Sequence, residues 1–307
     1  MGAETGEQYE ITFGTGAATA RAVVTEIGAG LRAFEVGGVP HLETFPESEH
    51  PPLGSGAVLV PWPNRVADGR WTWQGRPQQL EISEPELHNA IHGLQRKLPW
   101  TLVEHVADRV ELVSDIVVQP GWPVPLRATV EYTLAERGLT VTHTMTNVGE
   151  QPVPFGLGTH PYPRAGAIDR DECRLQLAAT TVLPLSEDRL LPSGPATPVA
   201  GTEFDFRVPQ SLAGRNLNTP MGGCEPEADG LVHHRLLGPD GGVELWADPD
   251  FRWVQVFTPP EFLGRGAGAV AIEPMTCPPD ALNSGVDLIT VAPGETWTGR
   301  WGFTPLR

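Results

Sequence analysis

The chain has 307 residues, 35 of them Gly and 32 Pro, so about a fifth of all positions break regular elements or shape turns, which excludes a mostly helical protein. Hydrophobic residues at 40%, spread along the chain and including Trp and Phe, exclude a disordered chain and supply a sizeable core. The net charge of −17 repels phosphate backbones and anionic lipid, so no nucleic acid and no membrane is expected as a partner.

Period-two alternation begins at Tyr9–Phe13 and returns at Arg109–Val113, Ala128–Leu134 and Leu139–Thr146. It continues in Cys173–Leu177, Val243–Ala247 and Trp253–Thr258. These runs predict half-buried β-strands. Ala135-Glu136-Arg137-Gly138 predicts the hairpin connection between the strands on either side of it. No stretch of twelve residues carries a convincing helical apolar face, and no linker, repeat or low-complexity tract divides the chain. The expectation is one all-β domain over 1–307, a sandwich or barrel of many short strands.

Several chemistries lose their residues at this level. The chain has one lysine, Lys97, in Arg96-Lys97-Leu98, so a phosphate-binding loop with GK[ST] is absent and a Schiff base would rest on Lys97 alone. Cys173, Cys224 and Cys277 are far apart and form no C-x-x-C pair, which predicts reduced thiols in a cytoplasmic protein. Met1–Glu7 has neither a basic nor an apolar run, and no stretch approaches eighteen apolar residues, so neither a secretion signal nor a membrane span is expected. His88 and His92 lack the intervening Glu of a zinc-protease helix, His233 and His234 are adjacent on a strand, and no metal is expected. No Gly-x-Ser-x-Gly elbow is present, and Gly54-Ser55-Gly56 reads as a turn.

Four Gly/Pro-dense segments depart from the alternation, each with one strongly functional side chain. In Leu59–Arg65, Asn64-Arg65 follows an apolar strand and Pro61-Trp62-Pro63, and presents a guanidinium fork suited to sugar hydroxyls or a carboxylate. In Asn89–Leu94, His92 has similar character with a weaker signal, and for both residues the alternative is a structural role. In Phe155–Pro163, His160 sits on a stiff loop and is a candidate proton donor, or a structural His bonded to nearby carbonyls. Glu273 follows the apolar run Ala269–Ile272 and precedes Pro274, which predicts a position at or near a strand end. Burial there would raise its pKa toward the range of a general base, the alternative being a Glu paired with Arg or solvated in a turn.

Pro63-Asn64-Arg65-Val66, Asn89-Ala90-Ile91-His92-Gly93-Leu94, Gly158-Thr159-His160-Pro161-Tyr162 and Glu273-Pro274-Met275-Thr276-Cys277-Pro278-Pro279-Asp280-Ala281, in that order and spacing, resemble the aldose 1-epimerase (galactose mutarotase) family. The resemblance covers most of the chain, from Leu59 to the Val291–Glu295 segment. It implies a large antiparallel β-sandwich of the supersandwich type, a small-molecule sugar substrate and no cofactor. It further implies Glu273 as general base, His160 as general acid, and Arg65, His92 and neighbouring Asn64 as sugar ligands. The family's sugar-holding Asp has Asp229 as its nearest candidate, in Ala228-Asp229-Gly230-Leu231-Val232-His233-His234, a context that departs from the family pattern. The implied reaction interconverts the anomers of a free aldose such as glucose or galactose. Alternatives are a hexose-6-phosphate 1-epimerase, a carbohydrate-binding sandwich without catalysis, and a glycoside hydrolase pairing Glu273 with Asp229.

Overall fold

The computed structural model describes residues 4–264, 266 and 268–306, so Met1-Gly2-Ala3 of the N-terminal stretch lies outside the described residues. Two large antiparallel sheets dominate. The nine-stranded sheet runs Thr101–Val106, Arg109–Ile116, Leu126–Ala135, Gly138–Asn147, Thr296–Leu306, Gly241–Ala247, Val232–Gly238, Arg174–Gln176, Gln210–Ser211. The seven-stranded sheet runs Thr197–Pro198, Thr181–Val182, Asn218–Gly222, Trp253–Phe257, Ala271–Met275, Gly158–Thr159, Val58–Leu59. A four-stranded sheet near the N-terminus and three two-stranded pairs complete the structure. The all-β antiparallel sandwich expected from the sequence is the observed architecture, and the one α-helix among the described residues is Ala281–Ser284.

Alternation along the long strands has the expected cause. Val130, Tyr132 and Leu134 on one strand, and Leu139, Val141, His143 and Met145 on its neighbour, are all almost fully buried, while the residues alternating with them are partly exposed. Each such aliphatic or aromatic side chain contributes about 1.5–3 kcal/mol by leaving water. The hairpin between these strands is tighter than the sequence predicts. Ala135 and Gly138 themselves pair, leaving Glu136 and Arg137 as the turn. Two-residue turns match the twist of antiparallel strands best, and that geometry outweighs the four-residue connection.

The same alternation divides Trp253–Phe257 and Ala271–Met275 between two environments. Val254, Val256 and Ile272 join the large core cluster that includes the inner residues of the nine-stranded sheet. On the opposite face three cross-strand pairs form a row: Trp253 with Met275, Gln255 with Glu273, and Phe257 with Ala271. Trp253 and Met275 pack with Leu183, whereas Ala271 and Phe257 pack with Tyr162 and Phe262. One polar pair is therefore held between two apolar clusters, at 2% exposure for each member.

Candidate functional site

Glu273 lies in the middle of its strand, not at the end that Pro274 predicts. Ile272 N donates to Pro161 O and Thr276 N to Leu157 O, so alternate residues face the segment carrying His160. Pro274 falls between them, and the strand continues through it.

His160 follows the strand Gly158–Thr159 and is anchored by its own backbone. Its N–H donates to Ala57 O and its carbonyl accepts from Gly56 N. The ring stacks on Tyr162 at 5.2 Å between centroids and meets the His92 ring edge-on at 5.5 Å. Its Nε2 is 3.5 Å from Glu273 Oε1. Glu273 Oε2 and His160 Nδ1 make no hydrogen bond among the described residues.

Asn64 and His92 are held together by a two-way link. His92 N donates to Asn64 O at 2.9 Å, and Asn64 N donates to His92 Nδ1 at 3.2 Å. A backbone N–H only donates, so Nδ1 accepts and Nε2 carries the imidazole hydrogen. Both residues have positive φ, 56° and 62°. Gly93 follows at φ +70°, where a Cβ would lie 2.0 Å from Val60 O; only glycine lets the loop come this close.

Arg65 opens the short strand Arg65–Ala67, which Asp280 braces by donating its N–H to Arg65 O and accepting from Ala67 N. Its guanidinium is largely committed within the protein to a carboxylate, one of the partners its fork suits. Nε and Nη2 both donate to Glu84, each at 2.8 Å, and Glu84 also accepts from Asn89 Nδ2. Nη1 takes no part in this pairing.

A chain of amides crosses the floor, and its polarity is fixed at one end. Arg65 N donates to Asn64 Oδ1, so Asn64 Nδ2 donates to Gln255 Oε1, and Gln255 Nε2 donates to Asn218 Oδ1 at 2.8 Å. Asn218 Nδ2 is thereby left as a donor. Asn64, Arg65, His92, His160, Asn218, Gln255 and Glu273 line one cleft of about 310 Å³, a volume at the lower end of the roughly 300–1,000 Å³ usual for small-molecule sites.

Burial dominates the electrostatics. It raises the Glu273 carboxyl well above the usual carboxylate range, against the opposing charge of Arg65. It lowers His160 to about 4, with the positive charge of Arg96 adding to the effect. It also holds His92 well below its ordinary value, assisted by His160, Arg96 and Arg65. One carboxyl and one imidazole, side by side and apolar-flanked, suit a proton taken from one oxygen and another delivered to a second. Among the described residues no three His, Cys, Asp or Glu side chains are grouped to hold a metal ion.

Asp229 is not brought to this cleft. It precedes the strand Val232–Gly238 of the nine-stranded sheet, on an exposed turn, and its carboxylate accepts from Leu231 N and contacts His233 Nε2. The sequence context resembled a sugar-holding Asp only loosely, and an Asx-type turn accounts for it. A Glu273–Asp229 hydrolase pair has no basis in this arrangement. Gln255, Asn218, Glu84 and Arg96, which sequence reasoning passed over, do line the cleft. Gln255 carried one signal, a lone polar side chain inside the apolar run Trp253–Phe257.

The family model for aldose 1-epimerase matches residues 9–304. The Escherichia coli K12 protein YihR is 33% identical over 276 residues, covering 89% of this chain and 86% of that protein. Galactose mutarotase of Rattus norvegicus is 34% identical over 173 residues, 53% of this chain and 48% of that protein. The crystal structure of the GalM/aldose epimerase homologue from C. elegans superposes with a TM-score of 0.83 at 18% identity, over 98% of this chain and 99% of that one, and shares the fold.

Proposed function

The chain belongs to the aldose 1-epimerase family, and we propose that it interconverts the α and β anomers of a free aldose such as glucose or galactose. The observation that carries this reading is the buried Glu273–His160 pair at 3.5 Å in a cleft of monosaccharide size. Glu273 removes the proton from the anomeric hydroxyl while His160 protonates the ring oxygen, and the hemiacetal opens. Rotation about C1–C2 and closure onto the other face invert the anomer. The two groups exchange roles on closure, so no net proton is consumed and no redox partner is required. Each proton transfer contributes about 10²–10⁴-fold in rate.

Arg65 Nη1, His92 Nε2–H and Asn218 Nδ2 are donors suited to the sugar's oxygens, and Asn64 orients both His92 and the amide chain. The three cysteines are buried and free, which fits a reducing, cytoplasmic setting. The test is mutarotation of glucose and galactose by polarimetry or exchange NMR. Acceleration of either supports the reading; sugar binding without acceleration would make the protein a carbohydrate-binding sandwich instead.

A further inference from the structure

We propose that the sugar this cleft takes carries an oxyanion, carboxylate or phosphate, on the exocyclic carbon beside the ring oxygen, and that Arg96 binds it. The proposal rests on the anomer-inverting reading and names the substrate class for that same site. Arg96 lies on the loop that follows the strand Asn89–Ile91 and lines the cleft half-buried. Its backbone is pressed against Gly28, where a Cβ would lie 2.5 Å from Arg96 O, and Gly28 N donates to Leu98 O. Yet among the described residues the Arg96 guanidinium makes no hydrogen bond and no ion pair, although the chain has 38 acidic residues to offer. Partly burying a cation without a partner costs free energy that folding does not recover.

Arg96 feels the charge of Glu84 from a distance, without an ion pair, and Glu84 is already committed elsewhere. Arg65 is matched by Glu84, which holds it through two hydrogen bonds. Glu273, His160 and His92 are each displaced by burial toward their neutral forms. Glu86 is exposed at the rim. In a protein of net charge −17, the enclosed part of the cleft is therefore positive, and the positive group is a fork suited to an oxyanion.

Position follows from the chemistry of the ring. His160 must reach the ring oxygen, whose two neighbours in a pyranose are C1 and C5. Glu273 claims C1, so C5 and its exocyclic carbon lie beyond His160. Arg96 lines the cleft beside His160, because it follows His92 by four residues and the His92 ring meets His160 edge-on. The groups facing His160 are Glu273, His92, Tyr162 and Arg96. An oxyanion on Arg96 offsets the charge that helps hold His160 low, so the bound substrate makes its own acid easier to protonate. The effect appears in kcat as well as KM.

The experiment compares mutarotation of glucose, glucuronate and glucose 6-phosphate by the intact protein at constant ionic strength. The expected result is a kcat/KM at least tenfold above glucose for one of the two charged sugars, and which one responds tells carboxylate from phosphate. Arg96→Gln should reduce that ratio tenfold or more, with Arg96→Lys restoring part of it. Glucose equal to or better than both, or a ratio unchanged in Arg96→Gln, overturns the proposal. Should Arg96→Gln fail to fold, the wild-type preference must shrink as salt is raised; a salt-independent preference overturns it equally. If no sugar is accelerated, the anomer-inverting reading fails. Calorimetric binding of glucuronate and glucose 6-phosphate against glucose then decides the Arg96 assignment by the same tenfold criterion.

Discussion

Glu273 Oε1 and His160 Nε2 stand 3.5 Å apart with 2% and 6% of their side chains exposed, and burial drives the two groups in opposite directions, the carboxyl up and the imidazole down. Their pKa values approach or cross, which is the condition for a proton to be handed either way at little cost. The pair titrates as a unit, so a pH–rate profile reports the pair and not either residue.

Glu273→Gln should reduce kcat by about 10²–10⁴-fold with sugar binding retained. The sign for stability is also determined. The folded-state pKa of Glu273 is raised, so its stabilising contribution is complete below the unfolded value and is lost as pH rises through the folded one. Gln cannot ionise. Glu273→Gln should therefore melt above the wild type at pH 7–8, and the two should converge near pH 4. Thermal melts at both pH values check this, and a variant less stable at pH 8 would contradict the buried-carboxyl account.

Buried neutral histidines set acid stability. Burial lowers His143 and His234 to about 3 and His160 to about 4. Depressed pKa values contribute stability above the unfolded value, near 6.5, which is lost as pH falls through the folded ones. Between these limits each group takes up a proton on unfolding, weakening the fold by about 1.4 kcal/mol per pH unit. Urea titrations from pH 7 to pH 4 should show this decline. His143 accepts from Trp301 Nε1 in the core, so His143→Gln, which keeps an acceptor and cannot charge, should flatten it.

The amide chain predicts an asymmetry between two substitutions. Asn218→Asp keeps an acceptor for Gln255 Nε2 but withdraws the N–H donor from the cleft, and should raise KM about tenfold with little change in melting temperature. Gln255→Leu removes the middle of the chain, leaves Asn64 Nδ2 without its acceptor, and should cost about 1–3 kcal/mol of stability besides raising KM. Steady-state kinetics and denaturant melts on both variants separate these outcomes.

Asp229→Ala should leave kcat and KM within about twofold of the wild type. Its lost contact with His233 is at an exposed turn, where such pairs contribute about 0–1 kcal/mol. A large loss of turnover would restore the sequence-based assignment of Asp229 as a sugar ligand.

What was legible in the sequence divides along physical lines. Strand identity follows from local alternation, and the segments around Arg65, His92, His160 and Glu273 stand out by their density of Gly and Pro. Partnerships across the fold leave no local trace. Glu84 occupies the Arg65 fork from 19 residues away, and Gln255 meets Asn64 across 191. Asn218 and Arg96 sit in segments whose composition resembles any surface loop, and only the packing of strands and loops brings them to the cleft.

The pairing of Gln255 with Glu273 ties the fate of the chemistry to that of the core. A slip of one residue along Trp253–Phe257 or Ala271–Met275 would turn valines outward and drive an amide or a carboxylic acid among hydrocarbon side chains. Misregistered forms of this sheet are thus penalised twice over. Single-residue insertions or deletions in these two strands should be eliminated as folding failures, whereas length changes in the exposed Asp229 turn should be tolerated.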